Sequence, residues 1–133
     1  MARDRGVSIA AAIGPSGQDP ENVETYSYTT GKDATVEQVD VRIYPGAGLA
    51  LRLEILKKDD QTDVTTPIVR TRGKDYLDVD DDTYSFDLSE PIKEDDQIVV
   101  RATNLADSNE YNFRVNFDID ERWGTTSIFE EVL

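Results

Sequence analysis

The chain has 133 residues, the length of one ordinary domain, with 14 Lys and Arg against 28 Asp and Glu and a formal charge of −14. It contains no His and no Cys, which removes the commonest general base, the thiol nucleophile, zinc clusters and disulfides together. So large an acidic excess repels nucleic-acid phosphates and anionic membrane surfaces alike, so neither is expected as a partner.

Residues 1–22 mix Gly, Pro, Ser, Asp and Asn with small apolar residues, a composition that suits a mobile N-terminal arm. Arg3 and Arg5 precede an apolar run over residues 7–13 that is too short, and too diluted by small residues, for an export signal. No segment reaches the ~20 apolar residues of a membrane span. The β-sandwich domain is expected over residues 23–122. Tyr26 and Tyr28 sit two apart, a short strand signal. Val39, Val41 and Ile43 alternate with polar residues, a half-buried strand of period two. Residues 45–48, Pro-Gly-Ala-Gly, break it, and Leu49, Leu51, Leu53 and Ile55 restart the alternation. These two strands read as an antiparallel neighbour pair.

Residues 57–66 form a polar loop with Asp59, Asp60 and Asp63 at its tip, and Ile68 and Val69 give a short strand. Tyr84, Phe86 and Leu88 alternate up to Pro91. Ile98, Val99, Val100 and Ala102 are more continuously apolar, as expected of a central strand. The clearest strand is residues 111–119, with Tyr111, Phe113, Val115, Phe117 and Ile119 on one face and Asn112, Arg114, Asn116 and Asp118 on the other. Seven or eight strands about ten residues apart, with no amphipathic helix, predict an all-β protein, a single antiparallel sandwich. Residues 123–133 are a C-terminal tail whose apolar surface must dock on its own domain or on a neighbour.

Asp78, Asp80 and Asp82 are candidate Ca²⁺ ligands, because hard carboxylate oxygens two apart on an extended segment project to one side. An EF-hand is excluded, since its glycine and final glutamate positions fall on Thr83 and Ser89. Beyond Ca²⁺ or cations of the salt held at such carboxylates, no cofactor is expected. No spacing singles out a carboxylate pair for hydrolysis, and there is no nucleophile elbow or phosphate loop, so no enzyme and no catalytic residue is expected. Trp123, just past the last strand, serves as an anchor for the tail or as a sugar platform. Arg3, Arg5, Trp123, Ile128, Phe129, Val132 and Leu133 are the candidate oligomer contacts, basic or apolar groups on the two ends of an acidic chain.

Asp outnumbers Glu 18 to 10 and Arg outnumbers Lys 9 to 5, a bias that resembles the proteomes of salt-in halophiles. Short carboxylates there hold water and cations on a surface that molar salt would dehydrate, and their repulsion is screened over ~3 Å at 1 M. Residues 84–88 (Tyr-Ser-Phe-Asp-Leu), Pro91-Ile92, residues 96–104 and the strand over 111–119 follow a strand, a Gly31-Lys32 turn and two alternating strands within 26–55. In this pattern residues 24–120 resemble the jelly-roll-like β-sandwiches of viral and phage virion proteins, the small capsid, head-decoration and spike-base subunits. The resemblance implies a structural protein of a haloarchaeal virus, made in the host cytoplasm and located in the virion. Its expected partners are further copies of itself and other virion proteins, locked together by arm and tail. Clipping either end is then expected to abolish assembly and leave the domain folded. The alternative is a non-catalytic ligand-binding β-sandwich of a halophile, for carbohydrate through Trp123 or for calcium through residues 78–82.

Overall fold

The computed structural model describes residues 3–44, 50–69, 76–77 and 82–121. Eight strands follow one another: β1 (Arg3–Ile13), β2 (Asn22–Thr29), β3 (Ala34–Ile43), β4 (Leu51–Lys58), β5 (Thr65–Pro67), β6 (Asp82–Ile92), β7 (Gln97–Asn104) and β8 (Tyr111–Glu121). They form two four-stranded antiparallel sheets, sheet 1 in the order β1-β8-β3-β6 and sheet 2 in the order β2-β7-β4-β5. Among the described residues there is no helix. Every connection except β4–β5 crosses from one sheet to the other, and this interleaved order is the eight-stranded jelly roll.

The core lies between the sheets. Period-two alternation turns Val39, Val41 and Ile43 of β3 and Phe113, Val115, Phe117 and Ile119 of β8 inward, against Leu51, Leu53 and Ile55 of β4 and Ile98, Val100 and Ala102 of β7. Tyr26 of β2 meets Phe113 edge-on across the gap, with ring centroids 5.7 Å apart. In β3 the register shifts between Val36 and Gln38, so Val36 and Val39, three apart, both point into the core. β7 is central in its sheet, as its apolar run requires. Pro91 is accommodated because β6 is an edge strand.

Three expectations are corrected. Residues 3–13, expected within an arm, form β1, paired with β8 from Arg3↔Glu121 to Ile13↔Tyr111, so the sandwich starts at residue 3 rather than 23. Val7, Ile9 and Ala11 pack on the core and Ile13 is fully buried, an alternation masked by Gly6, Ser8, Ala10 and Ala12 between them. β3 and β4 are not hydrogen-bonded neighbours but lie in opposite sheets. Their apolar faces meet across the core: the Tyr44 amide donates to the Asn112 carbonyl in sheet 1, while the Ala50 carbonyl accepts from Leu105 beside sheet 2. The short strand near Ile68 runs instead over Thr65–Pro67; Ile68 donates to the Ile55 carbonyl, and further along β4 Leu53 and Leu77 exchange two hydrogen bonds.

Candidate functional site

At one end of the sandwich the turns over residues 30–33 and 93–96 and the loop over 59–64 are bound together. Thr30 Oγ1 donates to the Lys93 and Asp96 carbonyls (2.8 and 3.0 Å), and Asp33 Oδ1 accepts from the Glu94 amide (2.9 Å). The carboxylate of buried Asp96 accepts from the amides of Asp60 (3.0 Å) and Lys93 (3.2 Å). Asp59 Oδ1 accepts from the Gln61 and Thr62 amides, and those donors hold its carboxyl below the usual carboxylate value. Asp63 and Asp95 take the left-handed backbone conformation, φ 60° and 73°, which a short polar side chain tolerates better than most. A cleft of about 130 Å³ lies among these groups. The carboxylates that accept these amide hydrogens hold the loops in shape.

Of the candidate Ca²⁺ ligands, Asp78 and Asp80 lie outside the described residues, and the backbone of Asp82 opens β6 opposite Ile43. Among the described residues no group of three or more acidic side chains is placed to hold a metal ion. Arg3 and Arg5 lie with their backbones in β1, opposite Glu121 and Ile119. Trp123, Ile128, Phe129, Val132 and Leu133 lie outside the described residues. No described helix is long and apolar enough to cross a membrane.

The outer face of sheet 1 carries charge in an ordered way. Cross-strand register sets its side chains in rows: Ala10, Arg114, Arg42 and Thr83 in one; Ser8, Asn116, Asp40 and Ser85 in the next; Gly6, Asp118, Gln38 and Asp87 in the third. Two arginines therefore sit directly opposite each other, a like-charge pair within one row of the ladder. The Arg42 guanidinium lies over the Tyr44 ring, 5.1 Å from its centroid. Asp40, diagonal to Arg114, is taken up by Ser85 Oγ (2.7 Å) and Gln38 Nε2 (3.1 Å). Arg114 is exposed and makes no hydrogen bond or ion pair with a described residue; the same holds for Asp118. Beside Arg114 lies a shallow depression of about 550 Å³, lined among the described residues by Ala10, Ala11, Tyr44, Asn112, Phe113 and Arg114. The face is positive at the Arg42 row and negative at the Asp118 row.

Sequence reasoning placed Arg114 on the polar face of its strand but did not single it out. The available signal was period two at 42 and at 114; that the two are cross-strand partners depends on the pairing of β3 with β8, which brings together residues 72 apart in the chain.

No family model matches the chain, and no curated protein matches it. Among solved structures it is similar to the crystal structure of PirA, at 15% identity over 84% of this chain and 92% of that one, with a TM-score of 0.47. It is also similar to chains in structures of infectious bursal disease virus: the Gx strain at 14% identity, over 92% of this chain and 33% of that one (TM-score 0.46), and the Gt strain at 13%, over 92% and 32% (TM-score 0.44). This chain thus spans about a third of the length of either virus chain. The jelly roll itself is defined by the strand order of the two sheets.

Proposed function

We propose that this chain is a non-enzymatic structural subunit of a virus particle in high salt, a capsid or capsid-decorating protein that assembles into symmetric oligomers. The observation that carries the reading is the interleaved order β1-β8-β3-β6 over β2-β7-β4-β5, an architecture used by viral capsid subunits and also by lectins and cupins. Tyr26, Tyr28, Tyr84, Phe86, Tyr111, Phe113 and Phe117 are turned toward the core, where they build the rigid block that a capsid subunit needs. The Asp-rich, Lys-poor composition fits a surface that meets brine.

Native mass by light scattering after size exclusion, in molar salt and in dilute buffer, tests this. A discrete oligomer in molar salt that dissociates in dilute buffer is expected, because contacts between chains of charge −14 need their long-range repulsion screened. A monomer indifferent to salt would sink the reading and favour the ligand-binding module.

A further inference from the structure

We propose that the outer face of sheet 1 is a self-interface, on which Arg114 pairs with Asp118 of the partner subunit across a two-fold axis. The inference rests on the reading of the chain as an assembling subunit and names the surface through which two copies meet.

The argument is charge complementarity within a single face. Arg114, Asn116 and Asp118 are consecutive outward residues of β8, so Arg114 and Asp118 lie about 7 Å to either side of Asn116 at ~3.4 Å per residue. A two-fold axis in the plane between two such faces, running along the row of Ser8, Asn116, Asp40 and Ser85, reverses the strand direction. It sets Arg114 over Asp118 of the partner subunit, and Asp118 over Arg114 of the partner subunit. The row with two arginines then lies over the row that holds Asp118 and Asp87. Both members of the central pair are exposed and without an ion pair among the described residues, so no existing contact has to be broken. Arg114, which faces a second arginine in its own sheet, gains a carboxylate partner between two copies.

Shape and neighbouring charge agree. On β1 the outward positions are Gly6, Ser8, Ala10 and Ala12, so an opposing sheet can approach closely along that edge. Asp40 falls on the axis opposite its own copy, and there its charge is already shared with the Ser85 hydroxyl and the Gln38 amide. Salt acts in two directions at two ranges. At 1 M the Debye length of ~3 Å removes repulsion between the two acidic bodies but leaves a guanidinium in contact with a carboxylate. Four strands of ten or eleven residues give sheet 1 a flat footprint of roughly 20 Å by 35 Å, close to the ~800 Å² per partner of a standard interface.

The test is sedimentation velocity of the full chain over a concentration series in 3 M NaCl, for the wild type, Arg114→Glu, and Arg114→Glu combined with Asp118→Arg. Both positions are exposed, and a circular dichroism melt of each variant checks its fold. Arg114→Glu is expected to weaken association at least tenfold, and the double reversal to restore it to within about threefold of wild type. Wild-type association left intact in Arg114→Glu overturns the interface while the subunit reading stands; so does a double variant as weak as the single one. A wild type that is monomeric throughout overturns the subunit reading, and the interface with it.

Discussion

Asn104 ties its own β7–β8 corner to the β1–β2 corner some 90 residues earlier. Fully buried at the end of β7, its Nδ2 donates to the carbonyls of Asn109 (2.8 Å), Gly14 (2.9 Å) and Ile13 (3.3 Å), and its Oδ1 accepts from the Ala106 amide (2.8 Å). Two N–H bonds serve three carbonyls, so the longest contact shares a hydrogen with a shorter one. Truncation strands several of these backbone groups away from water. Asn104→Ala is therefore expected to lower unfolding free energy by ~2–4 kcal/mol in a denaturant titration at fixed salt. Asn104→Asp keeps the shape but turns a carboxylate oxygen toward three carbonyls, and should be worse than Ala at pH 7. If Asp is the milder of the two, shape rather than donation is what the site needs. From sequence, Asn104 reads only as the start of a polar turn, because its acceptors come from the β1–β2 and β7–β8 corners.

At the scale of elements, β1 changes most between sequence and structure. Its composition of Ala, Gly and Ser looks like a linker, yet Val7, Ile9, Ala11 and Ile13 alternate and seal one edge of the core. Fully burying Ile13 contributes ~1.5–3 kcal/mol, and the half-buried Val7 and Ile9 add about half as much each, for roughly 3–6 kcal/mol together. That is a large part of the whole net stability of a domain, ~5–15 kcal/mol. Deleting residues 1–13 is accordingly expected to abolish the cooperative thermal transition and the near-UV circular dichroism of the sandwich in molar salt. A truncated chain that still melts cooperatively would return those residues to the status of an arm. The strands at 84–88 and 111–119 are legible because inward aromatic and branched residues at period two leave one arrangement for a half-buried strand, and 98–102 because its continuous apolar run suits a central strand. β5, three residues of Thr and Pro, offered no such signal and exists because β4 presents an edge to pair with.

For the whole molecule, charge is the dominant quantity. Fourteen uncompensated negative charges on one domain repel one another in the folded state more than in the expanded chain, so folding gains from screening. The Debye length falls from ~10 Å at 0.1 M to ~3 Å at 1 M and changes little in absolute terms beyond that. The melting temperature is expected to climb steeply between 0.1 and 1 M NaCl and then level off. A rise that continues at the same slope to 3 M would assign the stabilisation to salt excluded from the surface instead of to screening.

Composition and hydrophobic period by themselves determined an all-β sandwich, the inward set on most strands and the acidic surface, because these depend on which residues alternate and on nothing farther away. Only the tertiary structure decided which strands are neighbours. Hydrogen-bond ladders join β1 to β8 and β3 to β8 across long stretches of chain, and backbone groups carry no sequence label that a reader could match. For the same reason the pairing of Arg42 with Arg114, and the charge pattern built on it, exists only in the folded sheet.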